Sequence, residues 1–458
     1  MVKPLDICIL AAGKGSRMRS STPKVLQPLA GKPLLGHLLD TADALQPHQI
    51  HVVVGPDDTE LQAAYATRDN INWVVQADRL GTGHAVMQAA PFFSGEGPVL
   101  IMLGDAPLIR LNTLKKMLAT PADLVVLSVQ LDDPTGYGRI KRNGKGEVMA
   151  IVEDKDADDV TRQIQEINSG VMLSAAGLIK PWLGQLDNQN KQQEYYLTDM
   201  IAVAARQHHR VDTVMADDRM EVAGVNDFIQ LAELERSYQQ SQAAAFMAQG
   251  MHIVDPARFD VRGQVSFGKD VRVDINVIFE GEVTLGDGVN IGPNCVIKDS
   301  QIGAASIIKA NSVIDGAVVS EACSVGPFAR LRPGAYLHNE AAVGNFVEVK
   351  KSTLGKGSKA SHLSYLGDSM IGENVNIGAG TITCNYDGVS KWQTQIGDDV
   401  FVGSNTALVA PVSLAEGVTV AAGSTITTDV PADNLAVGRG RQRNIPNWHK
   451  PAKTLKED

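Results

Sequence analysis

Disulfides, metal clusters and membrane spans all lack their usual signatures in this sequence. The four cysteines (Cys8, Cys295, Cys323 and Cys384) lie far apart, with no CxxC pair and no metal-ligand spacing, so reduced thiols in a cytoplasmic protein are expected. No apolar run approaches the ~20 residues of a membrane-spanning helix. Residues 7–12, directly after Asp6, are too short for the core of a secretory signal. Positive charge is scarce too: a formal net charge of -10 leaves no general basic face for nucleic acid, so any bound anion must be held by local clusters. Aromatic residues make up 5% against 44% hydrophobic residues, which assigns the core volume to Val, Ile and Leu. The length suggests about three domains at ~150 residues each, but the pattern gives two large ones.

What is abundant is a six-residue beat. From residue 261 to about residue 426 an aliphatic or aromatic side chain returns at every sixth position: Val261, Phe267, Val273, Phe279, Leu285, Ile291 and Ile297, then, after one-residue slips, series through Ile302 and Val319, and a late run from Ile396 to Ile426. Neither an α-helix nor a single strand has that period. Positions two earlier (Phe259, Val265, Val271, Val277) are apolar as well, so each repeat is a short strand turning two side chains inward. The next position is often glycine, as at Gly268, Gly286, Gly303, Gly326, Gly355 and Gly403, and these glycines are expected to supply the positive φ of a tight corner. Three such sides close one turn of a parallel β-helix, and stacked turns share one core. The crossover rule by itself favours a right-handed path.

Residues 5–226 read differently. Short β-branched runs at 7–10, 50–54, 99–103, 124–129 and 211–214 alternate with helical periodicity such as 34–44, which predicts an α/β layer fold with a mostly parallel sheet. Ligands in such folds gather at the carboxyl ends of the strands, and two candidates stand there. The loop Leu10-Ala11-Ala12-Gly13-Lys14-Gly15-Ser16-Arg17-Met18, with Pro23-Lys24, is neither a Walker A loop nor the dinucleotide fingerprint. Its small residues let backbone amides approach a polyphosphate, while Lys14, Arg17 and Lys24 neutralise charge. A basic surface loop is the alternative. Gly104-Asp105 follows the third run. Asp105 is either a turn residue or one of the few protein oxygens that Mg²⁺ takes beside phosphate and water. Residues 227–250 are polar and helical, with Asp227 and Gln230 at capping-box spacing.

The hexad region carries chemistry of its own. In an unbroken series, residues eighteen apart occupy the same place on successive turns, ~4.8 Å from one another. Arg332 therefore stacks on Lys350, and two stacked cations call for an anion. Arg330 and Glu348 are expected to neutralise each other. Ser404 and Ala422 stack likewise, leaving either a groove for a narrow pantetheine arm or an ordinary corner. The register breaks between Ala360 and Ile371, around Ser361-His362-Leu363-Ser364-Tyr365, and again between Thr383 and Ile396, around Cys384-Asn385-Tyr386-Asp387-Gly388. An imidazole at such a break suits removal of a proton from an amine near neutral pH. A solvated histidine is the plainer reading.

These motifs, with Gln76, Leu80-Gly81-Thr82-Gly83, Gly136-Tyr137-Gly138, Glu153, Asn168-Ser169-Gly170, Tyr195-Tyr196-Leu197-Thr198-Asp199 and Gly224-Val225-Asn226, resemble the sugar-1-phosphate nucleotidyltransferases. Joined to the hexads, nearly the whole chain resembles the bacterial bifunctional N-acetylglucosamine-1-phosphate uridyltransferase and glucosamine-1-phosphate acetyltransferase family. The resemblance implies an α/β, Rossmann-like nucleotidyltransferase domain at 1–226 and a linker helix at 227–250. A left-handed parallel β-helix of hexapeptide repeats with a C-terminal tail follows at 251–458. It also implies acetyl transfer from acetyl-coenzyme A to glucosamine-1-phosphate, then uridylyl transfer from UTP with release of pyrophosphate, in a cytoplasmic homotrimer.

Residue by residue, the resemblance puts Leu10, Ala11, Ala12, Gly13, Leu103 and Gly104 around the nucleotide, with Lys24 and Arg17 catalytic. Gln76, Gly81 and Thr82 meet the uracil, and Gly138, Glu153 and Asn168 the sugar. Asp105 and Asn226 hold Mg²⁺. Leu103 departs from the Tyr that close relatives often carry. In the second domain His362 is the general base, and Arg332, Lys350, Tyr365 and Asn376 bind glucosamine-1-phosphate. Asn385 and Tyr386 match contacts at the sugar phosphate and the acetyl-coenzyme A, and Ala379, Ser404, Ala422 and Arg439 match the coenzyme side. The residues alone leave open a single-activity nucleotidyltransferase that the β-helix merely assembles, and a sugar-nucleotide-binding scaffold without turnover.

Overall fold

The computed structural model describes residues 3–95 and 97–451; residues 452–458 of the tail lie outside them. The chain divides into two compact units, Met1–Ser241 and Gln242–Asp458, and the division falls inside the helix Phe228–Ala248.

In the first unit the five apolar runs all become strands. The sheet order is Val211–Met215, Leu124–Gln130, Glu166–Ala175, Pro98–Leu103, Asp6–Leu10, Gln49–Val54, Ile71–Val75. Asp6–Leu10 is parallel to both its neighbours, and its Ile7, Cys8 and Ile9 are fully buried, as a strand covered on both faces requires. The sheet is mixed. Glu166–Ala175 runs antiparallel to both its neighbours and carries the hairpin Arg139–Arg142 and Val148–Val152 at its edge. Its ladder shifts register between Asn168 and Met172, a bulge that takes Asn168-Ser169-Gly170 out of regular pairing. Leu34–Asp43 forms a helix burying Leu34, Leu35, Leu38, Leu39 and Ala42, one face of a 3.6-residue period. The two candidate loops leave adjacent strand ends, where Gly104 N–H donates to Leu10 O at 2.9 Å.

The second unit is a parallel β-helix. One side is an 11-stranded parallel sheet from His252–Ile253 to Leu435–Ala436, and the other two sides belong to a 16-stranded sheet. Long strands such as Val277–Leu285 run from one side to the next in the first coils. The hexad residues form one core column in which Val273, Phe279, Ile291, Ile308, Val325, Leu331, Val349 and Leu408 have no exposed surface. Each such side chain stabilises by about 1.5–3 kcal/mol.

The corner glycines do a different job from the one expected of them. Of the six named above, Gly326 alone has positive φ; the left-handed residue stands two positions further on, as at Ala305 after Gly303 and Asn405 after Gly403. The glycines are needed for close approach. A Cβ on Gly303 would lie 2.6 Å from the carbonyl carbon of Ser320 and 2.9 Å from Glu321 N on the next coil. The left-handed positions accept asparagine, which ties coils together: Asn276 Nδ2 donates to Asn294 Oδ1 at 2.9 Å, and Asn294 Nδ2 to Asn311 Oδ1 at 3.2 Å. Gly303→Ala is therefore expected to destabilise the β-helix by about 1–3 kcal/mol through overpacking against backbone. Thermal unfolding should show a lower midpoint with both active sites chemically unaltered.

Candidate functional sites

The first site is a cleft of about 300 Å³ lined by Leu10, Ala11, Ala12, Gly13, Lys24, Gln76, Gly81, Thr82, Leu103 and Asp105, together with Val25, Arg79, Ala85 and Glu194. The small residues leave room beside the backbone: nothing lies within 4 Å of a Cβ built on Gly13. Lys24 is ion-paired with Asp105 and lies 3.4 Å from Asn226 Oδ1, which also accepts from Arg17 at 2.8 Å. Residues more than 200 positions apart thus converge on one carboxamide.

Asn226 is held at the start of the helix Phe228–Ala248 by half of the expected capping box. Gln230 N–H donates to Asp227 Oδ1 at 2.9 Å, but Gln230 Oε1 accepts from Asn226 N–H at 2.7 Å, one residue before the usual partner. Sequence reasoning missed Arg79, whose Nε donates to Ala12 O at 2.6 Å and steadies the loop. It shares a short segment with Gln76 and Gly81, which was the available signal.

The sugar-side residues form a second group. Asn168 N–H donates to Gly138 O at 2.8 Å, and the Glu153 oxygens lie 3.3 Å from a Cβ built on Gly138. Any side chain there would crowd the carboxylate. Burial pushes the Glu153 carboxyl above its ordinary range, against a hydrogen bond from Thr198 at 2.9 Å, with Asp156 and Asp154 adding to the rise. These three residues do not line the nucleotide cleft. Leu103 connects the two groups, since it lines the cleft and packs against Gly170, whose N–H donates to Asn168 Oδ1 at 2.9 Å.

Asp105 and Asn226 offer oxygens to one ammonium, so a cation of Lys24's size already bridges them. That donor set fits Mg²⁺, which takes one or two protein oxygens and fills its octahedron with phosphate and water. Among the described residues no group of three or more His, Cys, Asp and Glu forms a closed metal cage.

In the second unit the hexad arithmetic places Arg332 over Lys350, because Leu331 pairs with Val349 and Arg332 N–H donates to Val349 O at 2.8 Å. Glu348 pairs with Arg330 as expected, but it also pairs, more closely, with Arg332. It lies 2.8 Å from Arg332 and 3.7 Å from Arg330, whose side chain is the more exposed of the two. A third cation, Lys391, was missed. It sits in the insertion after Ile382–Cys384, bridged to Tyr386. The Lys391 ammonium beside Lys350, followed by Arg332, holds Lys350 below the usual lysine range, with Asp368 opposing. Such a cluster favours an anion.

Tyr365 pairs with Glu348 on one flank and Ile382 on the other, and its hydroxyl lies over Gly367, the partner of Lys350. Asn385 donates to Asp368 and is buried, whereas Tyr386 is exposed with its hydroxyl donating to Gly388 O at 2.6 Å. Asp387 braces this loop by accepting from Ser390 and Val389 N–H and Trp392 Nε1. These bonds, that from Ser390 first, bring its carboxyl down to about 2.

His362 is exposed at the end of Lys359–His362, and its Nδ1 lies 2.6 Å from Asn345 Oδ1, its cross-strand partner. An amide oxygen accepts, so Nδ1 carries the proton and Nε2 keeps its lone pair. Asn345 was not anticipated; only the register slip, seventeen residues instead of eighteen, pointed to it. The same corner continues through Ala379, Ser404 and Ala422: Asn405 N–H donates to Ala379 O at 2.7 Å, Gly423 N–H to Ser404 O at 2.8 Å, and Arg439 to Ala422 O. A line of small side chains thus starts at the histidine. Asn376 stands apart, on the side where its partners are Lys359 and Phe401.

Comparison with known proteins adds the following. Residues 7–167 match the model for a MobA-like NTP transferase domain, and residues 265–299 and 393–428 match bacterial transferase hexapeptide (six repeats). The bifunctional protein GlmU of Stutzerimonas stutzeri (strain A1501) is 57% identical over 451 residues, covering 98% of this chain and 99% of that protein. That of Marinobacter nauticus is 53% identical over 454 residues, covering 99% and 100%, and that of Pseudomonas putida (strain KT2440) is 54% identical, covering 99% of each.

Proposed function

The chain belongs to the GlmU family of bifunctional transferases, and from that premise we propose how its residues divide the work. The enzyme carries both uridylyl and acetyl transfer, using a nucleoside triphosphate and acetyl-coenzyme A as substrates. In the second unit Arg332, Lys350 and Lys391 take the phosphate of glucosamine-1-phosphate, with Tyr365 beside it. The amine attacks the thioester carbonyl and its proton passes to His362 Nε2. The C–S bond then breaks and the coenzyme thiolate leaves along the corner of Ala379, Ser404, Ala422 and Arg439, beside the loop of Asn385 and Tyr386.

In the first unit a phosphate oxygen of N-acetylglucosamine-1-phosphate attacks the α-phosphorus of UTP and pyrophosphate departs. Lys24 and Arg17 stabilise the charge that develops. Backbone at Leu10, Ala11, Ala12, Gly13 and Gly104 approaches the nucleotide; Gln76, Gly81 and Thr82 meet the base; Gly138, Glu153 and Asn168 meet the sugar. Mg²⁺ held by Asp105 and Asn226 would neutralise phosphate charge.

The assembly we propose is a homotrimer in the cytoplasm. Phe328 and Phe346 stack at 5.3 Å and are 49% and 56% exposed, with Leu363, 60% exposed, on the next coil. Such an apolar ridge favours cover by a second copy. The four cysteines are free thiols, and no helix among the described residues is long and apolar enough to cross a membrane.

The observation that carries the reading is His362, whose Nε2 lone pair is freed by Asn345 and whose corner continues in a line of small side chains. Two assays on the full-length protein test it. Coenzyme A release from acetyl-coenzyme A with glucosamine-1-phosphate is expected, as is pyrophosphate release from UTP, Mg²⁺ and N-acetylglucosamine-1-phosphate. Absence of either product removes that half of the proposal.

A further inference from the structure

On the base-side wall of the nucleotide cleft a hydrogen-bonded chain runs behind Gln76 to His84, a residue to which the reactions above give no role. Gln76 follows the strand Ile71–Val75, and its N–H donates to Val54 O at 2.8 Å, which fixes its backbone. The side chain is 3% exposed and lines the cleft. Its Nε2 lies 3.1 Å from Gly81 O and 3.1 Å from His84 Nδ1. A primary amide has two N–H bonds, so these acceptors use both. Among the described residues no donor meets its Oε1, which is left for a ligand.

His84 stands half-buried on the helix Thr82–Ala89, with the Gln88 amide 3.2 Å from its Nε2 and the Tyr195 ring 6.3 Å away. Accepting at Nδ1 requires the neutral ring with its proton on Nε2, toward which the Gln88 side-chain amide must present its oxygen.

We propose that His84 is a specificity-determining positioning residue: by accepting from Gln76 it locks the amide with Oε1 toward the base, so that the site admits a pyrimidine that donates at N3 and rejects one that accepts there. The inference rests on the reading of Gln76 as a uracil contact and deepens it. Uracil presents N3–H to a carbonyl. Cytosine presents a lone pair, so acceptor would face acceptor in a buried wall. An amide free to turn would offer its NH₂ to cytosine and lose the distinction. Gly81 O opposes that turn from one side and His84 Nδ1 from the other.

The test is the ratio of kcat/KM for UTP to that for CTP in the full-length protein, with N-acetylglucosamine-1-phosphate and Mg²⁺ held constant. Phenylalanine at 84 keeps a ring and removes the acceptor. His84→Phe is expected to lower the ratio at least ~10-fold, a modest part of the 10⁴–10⁵ that a hydrogen-bonding site reaches, with CTP gaining while UTP loses. His84→Asn, whose Oδ1 takes the place of Nδ1, is expected to restore most of the ratio. Equal losses for both nucleotides in His84→Phe would overturn the proposal, leaving the histidine a structural residue. Gln76→Ala separates the two claims. An unchanged ratio there sinks the uracil contact itself, whereas a fall there with none in His84→Phe sinks only the role of His84. Thermal unfolding of each variant, compared with the wild type, reports on the integrity of the first unit.

Discussion

Replacing His362 with alanine is expected to slow acetyl transfer by about 10²–10⁴-fold, the usual contribution of a general base, and to leave uridylyl transfer at its full rate. An amine attacking a thioester must lose a proton as the new C–N bond forms, and the Nε2 lone pair is available because Asn345 Oδ1, 2.6 Å from Nδ1, fixes the proton on the other nitrogen. Asn345→Ala keeps the base and loses the orientation, so its expected loss is smaller and lies in kcat more than in KM. Arg332 and Lys350 should behave differently, since removing either weakens phosphate binding and raises KM. His362 is exposed on a corner, so His362→Ala should stay within about ±0.5 kcal/mol of wild-type stability. Coenzyme A release measured against pyrophosphate release in one preparation checks both arms. Wild-type acetyl transfer in this variant would make His362 an ordinary corner residue and favour a β-helix that only assembles the enzyme.

Much of this was legible because both units obey short periods. The six-residue beat predicts which side chains line the β-helix core and, through the eighteen-residue stack, that Arg332 meets Lys350. The apolar runs predict the strands that end at Leu10 and Leu103. The less legible features depend on side-chain direction and on breaks in period. Lys391 enters the phosphate cluster from an insertion that the hexad count cannot follow, and Asn345 meets His362 through a seventeen-residue step. Arg332 shares Glu348 with Arg330 and comes closer to it, 2.8 Å against 3.7 Å, and register does not specify that. The antiparallel strand Glu166–Ala175 is hidden by its bulge, which breaks the alternation that would have marked it. The corner glycines were visible but misread: a glycine marks both positive φ and close approach, and only the neighbouring coil tells which.

Lys24→Ala is expected to lower the kcat of uridylyl transfer by about 10²–10³-fold, the range seen when one preorganised charge is withdrawn from a developing anion, while acetyl transfer continues. Asp105→Ala should cost a similar amount for a different reason, since it removes an oxygen suited to Mg²⁺ and strands a lysine whose side chain is 10% exposed. The two losses should not multiply. Lys24 and Asp105 are ion-paired, and Asn226 Oδ1 lies within reach of both Lys24 at 3.4 Å and Arg17 at 2.8 Å. Removing Lys24 alone leaves a carboxylate facing the incoming triphosphate, a repulsion that the double variant lacks. A coupling of about 0.5–3 kcal/mol is therefore expected in a double-mutant cycle read on kcat. Arg17→Ala should be milder, because Lys24 still reaches Asn226. Losses that multiply would mean that Lys24 and Asp105 act on separate parts of the triphosphate and that their ion pair has no part in the bound state.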